Sequence, residues 1–169
     1  MLELSFFEHR STLEVARHLL GMELVHESRE GTTAGIIVEV EAYMGPEDKG
    51  AHTYGGKITP RTRAMYGPPG HAYIYLIYGM YHCLNVVSAP VGSPQAILIR
   101  ALEPTEGIEL MAKRRGLSLP ASTPEGYPLR WLKKLTSGPG KLCQAMGIDM
   151  NLYGISLLQP PLYLRHARD

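Results

Sequence analysis

No run of eighteen apolar residues occurs anywhere in the 169, which excludes a membrane-spanning helix. The opening Met1-Leu2-Glu3-Leu4 has neither the basic start nor the apolar centre of a secretion signal. Cysteine is scarce. Cys83 and Cys143 stand far apart and in no metal-ligand spacing, which fits free, buried thiols in a reducing compartment better than a disulfide framework. A cytoplasmic protein without membrane contact is expected. Excess charge of one sign is missing too: the net charge is +1, so composition alone announces no polyanionic partner. Lys57, Arg61 and Arg63 nevertheless cluster in one stretch, and Lys113, Arg114, Arg115, Lys133 and Lys134 in another. Such runs are more often a solvated face, but phosphate binding needs only local positive charge. Internal repeats, low-complexity tracts and linkers are also lacking, so residues 1–169 are expected to form a single domain.

Apolar residues make up 44% of the chain, enough for a core, and their spacing assigns the elements. Ser11-Thr12-Leu13-Glu14 reads as a capping box, followed by a helix through Leu20 that stops at Gly21. Met22 to Glu27 and Ala34 to Tyr43 read as strands around a turn at Ser28–Thr33, and Glu47 to Gly70 as a long polar loop. Ala72–Tyr78 and Met80–Ser88 form an expected hairpin pivoting on Gly79. Gln95–Ala101 is another strand, and Thr105 is expected to cap a helix ending at Gly116. From Leu117, Pro120, Pro124 and Pro128 suggest a surface excursion. A short helix from Lys141 to Met146 and a last strand over about 155–164 complete the pattern. The class is α+β, with a curved, mostly antiparallel sheet, flanking helices and a protruding hairpin.

In the second strand, alternation sends Ile37, Glu39, Glu41 and Tyr43 to one face, with Val38, Val40 and Ala42 facing the core. Residues two apart lie roughly 6.5–7 Å apart along a strand, a separation that suits paired carboxylates working on a glycosidic bond. A charged solvent face would produce the same pattern. The hairpin carries Tyr73, Tyr75, Tyr78 and Tyr81. Tyrosine favours strands, so packing is the default for most of them. Tyr78, however, stands at the expected tip, where an aromatic suits wedging between stacked bases, and Tyr75 offers a flat face for stacking. Strict alternation sets these two on opposite faces.

Several long motifs occur in order. They are Val38-Glu39-Val40-Glu41-Ala42-Tyr43-Met44-Gly45-Pro46-Glu47-Asp48 with Ala51-His52, Thr59-Pro60-Arg61-Thr62-Arg63, Tyr73-Ile74-Tyr75-Leu76-Ile77-Tyr78-Gly79-Met80-Tyr81, Ile99-Arg100-Ala101-Leu102-Glu103-Pro104 and Ser137-Gly138-Pro139-Gly140-Lys141-Leu142. Together they resemble the alkyladenine (3-methyladenine) DNA glycosylase family over about Phe6 to Gly147. The resemblance implies a monofunctional glycosylase of base excision repair. Such an enzyme flips 3-methyladenine, 7-methylguanine, hypoxanthine or ethenoadenine out of double-stranded DNA and hydrolyses the N-glycosidic bond without strand cleavage. It implies Glu41 as general base for the attacking water and Arg100 beside that water and the phosphodiester. Tyr43, His52 and Tyr75 would sandwich the base, the His52 amide would read its edge, and Asn85 would crowd out guanine. Tyr78 would fill the gap in the duplex, with Met80 beside it, while Thr59, Arg61, Arg63 and Lys141 would contact phosphates. No metal or other cofactor is implied, and a monomer is the simplest expectation. Family members usually continue beyond this end, so the chain is expected to be short at its C-terminus.

Two other readings stand beside this one. The first is a damaged-DNA-binding protein of the same fold without catalysis, which has no need of Glu41. The second is a nucleosidase for small molecules working through Glu39 and Glu41, which has no use for Tyr78 or the Thr59–Arg63 stretch.

Overall fold

The computed structural model describes residues 1–45, 56 and 58–167. In chain order the elements are α1 (Thr12–Leu19), β1 (Met22–Ser28), β2 (Gly31–Tyr43), β3 (Ala72–Ile77), β4 (Tyr81–Val87), β5 (Ala96–Glu106), α2 (Ile108–Arg115), α3 (Leu129–Thr136), α4 (Pro139–Met146), β6 (Leu158–Gln159) and β7 (Leu162–His166). The strands form one antiparallel sheet in the order β3-β4-β5-β2-β1-β7-β6, with four α-helices among the described residues. An α+β architecture is therefore correct.

One face of the sheet carries the main core. Val15 and Leu19 of α1, Met111 and Ala112 of α2, Leu135 of α3 and Leu142, Cys143, Ala145 and Met146 of α4 pack on Ile74, Leu84, Val86, Ile97 and Ile99. The intervening residues of those strands face the other way. There Tyr73, Tyr75, Cys83, Val87, Ala96 and Leu98 join Met65 in a second cluster, with Tyr43 at its edge. A period of two thus splits each strand between a helix-covered face and an aromatic one. Cys83 and Cys143 are both free and buried.

Several expectations need correction. Ile37 is buried in the main core and Val38 is half exposed, the reverse of the simple alternation. The cause is a pair of irregularities in the β2–β5 ladder. Ile37 faces Leu102 and Glu39 faces Ala101, leaving Val38 as an extra residue; Val40 then faces Ile99, leaving Arg100 extra on the opposite strand. Thr105 does not cap α2. Pairing carries β5 to Glu106, Gly107 at φ 76° occupies the cap, and the Thr105 hydroxyl donates to Glu23 at 2.6 Å. A Cβ at Gly107 would collide with the Thr32 carbonyl, so glycine is required there.

The stretch read as a proline-rich excursion contains α3, with Pro128 as its N-cap and Trp131, Leu132 and Leu135 turned inward. The last strand is two, because neither Pro160 nor Pro161 can donate to a ladder; they form the turn between β6 and β7. The turn after β1 is shorter than expected, since β2 already starts at Gly31. The α1 cap is present in altered form. Ser11 Oγ accepts from the Glu14 amide at 3.2 Å, and the Glu14 carboxylate accepts from the Ser11 hydroxyl, also at 3.2 Å.

Candidate active site

The site forms on the aromatic face because strand register lines its residues up. Glu41 faces Leu98, Leu98 faces Asn85, and Asn85 faces Tyr73, which makes one row across β2, β5, β4 and β3. Directly opposed residues share a face, so Glu41 and Asn85 lie two strand spacings apart, roughly 9–10 Å. Next to that row, Tyr43 faces Ala96 and Tyr75 faces Cys83.

The bulge at Arg100 gives the row its charge arrangement. Arg100 reaches across to β2, where Nε bonds Glu39 Oε1 at 3.1 Å and one terminal nitrogen bonds Glu41 Oε2 at 3.0 Å. The two carboxylates on one face are thus clamped by a single guanidinium. The Glu39 hydrogen bond, followed by the charge of Glu41, outweighs partial burial and raises the Arg100 pKa above its ordinary value. Glu41 keeps its second oxygen, Oε1, without a hydrogen bond among the described residues.

Beside the acids lies a small hollow of about 10 Å³ lined by Tyr43, Met65, Tyr73, Tyr75 and Asn85, room for about one water. Burial raises the pKa of all three tyrosines. For Tyr43, Glu41 adds to the effect; for Tyr75, the neighbouring Cys83 does; for Tyr73, Arg61 opposes it. They remain neutral hydroxyls across the physiological range. Tyr43, Tyr75 and Cys83 also act on one another: Tyr75 holds the Tyr43 pKa down, while Cys83 and Tyr43 push that of Tyr75 further up. Asn85 is fully buried. Its amide donates to the Tyr73 carbonyl at 3.3 Å, while Oδ1 has no partner among the described residues. A buried, unpaired acceptor is costly, so one aimed at a hollow marks a place prepared for a donor.

Arg61, read from sequence as a phosphate contact, stacks over the Tyr75 ring at 5.5 Å from its centroid, a cation–π distance. Tyr153 holds that segment: its hydroxyl donates to the Arg61 carbonyl at 3.0 Å and accepts from the Ala64 amide at 2.9 Å, while its ring meets Tyr73 edge-on. Thr59 is exposed, and its amide donates to the hydroxyl of buried Thr62 at 2.9 Å. Arg63 is exposed.

The hairpin turn is longer than the pivot on Gly79 that the sequence suggests, since β3 ends at Ile77 and β4 begins at Tyr81. Tyr78 and Gly79 both have positive φ, 54° and 67°, and Met80 N–H bonds the Ile77 carbonyl at 3.0 Å. That sign pattern belongs to a type I′ turn, which matches the twist of the flanking strands. Tyr78 is therefore a turn residue rather than a strand residue, so face alternation does not govern it. It is 88% exposed, and Met80 beside it 67%. Lys141 lies in the first turn of α4, and Gly140 before it abuts Tyr81, 2.9 Å from where a Cβ would sit. His52 lies outside the described residues. Glu41 and Arg100 are paired, and Tyr43, Tyr75 and Asn85 line the adjoining hollow; Tyr78, Met80 and Lys141 are not among the residues lining it. Sequence reasoning missed Tyr73, Met65, Cys83 and Tyr153. Strict alternation from Tyr75 was the signal available for Tyr73. Among the described residues no group of three His, Cys, Asp or Glu side chains is placed to hold a metal, and no helix is long and apolar enough to cross a membrane.

The sequence model of the methylpurine-DNA glycosylase family matches residues 5–169. A Bacillus cereus (strain AH187) protein named "Putative 3-methyladenine DNA glycosylase" is 54% identical over 165 residues, covering 98% of this chain and 77% of its own length. Proteins of the same name from Bacillus cereus (strain G9842) and Bacillus anthracis (strain A0248) are 56% and 55% identical over 160 residues, covering 95% of this chain and 75% of theirs. The clamped carboxylate beside an aromatic hollow thus belongs to a chain of the methylpurine-DNA glycosylase family, enzymes that hydrolyse N-glycosyl bonds in DNA.

Proposed function

We propose that this chain takes alkylated or deaminated purines, 3-methyladenine among them, out of double-stranded DNA and hydrolyses their bond to deoxyribose. The observation that carries the reading is the row from Glu41 to Asn85, with a carboxylate at one end and a buried, unpaired acceptor at the other. A purine seated between them turns its edge to Asn85, with the C1′ of its sugar facing Glu41. Glu41 Oε1 accepts a proton from water as the water oxygen bonds to C1′ and the C1′–N bond breaks, its electron pair leaving with the base. The same carboxylate favours the oxocarbenium-like centre that develops. A cationic 3-methyladenine departs neutral and needs no acid.

Tyr75 and Tyr43 supply electron-rich faces for a charged ring. The Arg61 guanidinium on Tyr75 supports that role, since a planar cation already rests there. The base displaces it, and the hollow widens from its present size. Asn85 excludes guanine by crowding its exocyclic amine. Tyr78 enters the gap left in the duplex, with Met80 beside it, and the lower cost of extruding poorly paired nucleotides adds selectivity. His52 is proposed to read the base edge, and Thr59, Arg61, Arg63 and Lys141 to meet phosphates.

The test is base release from three substrates: duplex with hypoxanthine or 3-methyladenine, undamaged duplex, and free nucleosides. Release from damaged duplex alone is expected. Release from nucleosides would point to a small-molecule enzyme, and tight binding without release to a DNA-binding protein.

A further inference from the structure

We propose that the open cleft between α3 and the start of α4 is a track for the DNA backbone beyond the nucleotide being processed. This rests on DNA being the substrate. The cleft, about 470 Å³, is lined by Leu129, Arg130, Lys133, Lys134, Ser137 and Lys141, four cations and no acid. None of the four has a carboxylate within salt-bridge distance among the described residues, whereas Arg100, Arg114 and Arg165 are all paired. In a chain of net charge +1, this is a local concentration of free positive charge.

The cations are not explained by the helix that bears them. Arg130, Lys133 and Lys134 share one face of α3 at i, i+3 and i+4, a like-charge stack that weakens an isolated helix. Lys133 and Lys134 lie in the last turn, where the helix dipole favours them. Arg130, in the first turn, gains nothing from that dipole, so an outside anion accounts for the set more fully. An adjoining hollow of about 280 Å³ shares Leu129, Lys133 and Ser137 and adds Val38, Leu102 and one acid, Glu103.

Position decides which anion. The cleft joins the site directly, because the Gly138 amide donates to the Arg100 carbonyl at 2.8 Å and Ser137 pairs with Ala101. Past Lys141, Gly140 packs on Tyr81, and the next hollow is lined by Met80, His82 and Arg115. Positive charge therefore runs from α3 across the start of α4 to the hairpin that carries Tyr78. A duplex engaged at the hairpin and Glu41 continues along that line, its phosphates evenly spaced in a way an acidic peptide does not reproduce.

The experiment measures binding of the full chain to a long duplex and to one cut close to the damaged nucleotide, across salt concentrations. For the triple variant Arg130→Ala, Lys133→Ala, Lys134→Ala, the slope of log K against log salt on the long duplex should become shallower by about 2 to 3. That is roughly 0.9 for each phosphate no longer neutralised. On the short duplex the slope should match the parent. The charge-preserving variant Lys133→Arg, Lys134→Arg should keep the parent's slope on both. Should the triple variant fail to melt cooperatively, Lys134→Gln alone should still cost about one unit of slope. A folded triple variant with the parent's slope on long DNA overturns the proposal. Because base release by the parent is scored separately, failure of that activity and failure of the track are distinguishable.

Discussion

Replacing Glu41 by Gln separates the chemistry of the site from its architecture. The Glu41–Arg100 pair is half exposed, with side-chain exposures of 47% and 38%. Pairs of that kind contribute roughly 0–1 kcal/mol to stability. Glutamine keeps an oxygen for the Arg100 donor, and Arg100 retains Glu39 at 3.1 Å. The melting temperature should therefore move by less than about 4 °C, since ~1 kcal/mol shifts a domain of this size by about 2–4 °C. The amide cannot take a proton from water. Loss of a positioned general base lowers the rate by roughly 10²–10⁴, or about 3–5 kcal/mol of barrier. The assay is single-turnover base release with enzyme in excess over a hypoxanthine duplex, read as alkali-sensitive strand. Glu39→Gln is the internal control. It removes the other half of the clamp from the same face and should cost less than tenfold. A Glu41→Gln enzyme within tenfold of the parent, or one that matches its rate while Glu39→Gln falls, would refute the assignment.

Three further outcomes follow from the same geometry. Tyr78→Ala should leave the melting temperature unchanged, because the side chain is 88% exposed, yet slow release from duplex roughly 10- to 100-fold as ~1–3 kcal/mol of stacking is removed; equal rates would remove Tyr78 from the wedge role. Gly140→Ala should lower stability by about 1–3 kcal/mol, since its Cβ would lie 2.9 Å from Tyr81, and thermal denaturation checks this. Stability should also fall as pH rises through and beyond the ordinary tyrosine range near 10. Tyr73 and Tyr75 keep their protons in the fold after the unfolded chain has released its own. Tyr75→Phe should flatten that alkaline slope, and an unchanged slope would contradict burial as the cause.

Where local pattern and tertiary structure agreed, the sequence was readable. The face shared by Glu39, Glu41 and Tyr43, the hairpin around Gly79 and the Gly116 stop of α2 all rest on short-range rules. Illegible parts were those fixed by pairing between distant strands. Val38 looked like core because nothing local marks a bulge, and a second irregularity, on β5, leaves Arg100 the extra residue that reaches the acids. Thr105 has a capping side chain, but Ala34 across the ladder keeps the backbone extended past it to Glu106. In α3, prolines before the helix hid it, although Trp131, Leu132 and Leu135 recur at helical spacing after Pro128 and supplied a usable signal. Arg61 read as a surface cation, since only the fold reveals the Tyr75 ring beneath it.

The most direct measurement is a crystal structure of the Glu41→Gln variant on a duplex containing hypoxanthine. The account predicts the purine stacked on Tyr75, its edge at Asn85, its C1′ facing residue 41, and the Tyr78 ring in the vacated stack. A damaged base still paired in the helix, or lodged away from the Tyr43–Tyr75–Asn85 hollow, would contradict it.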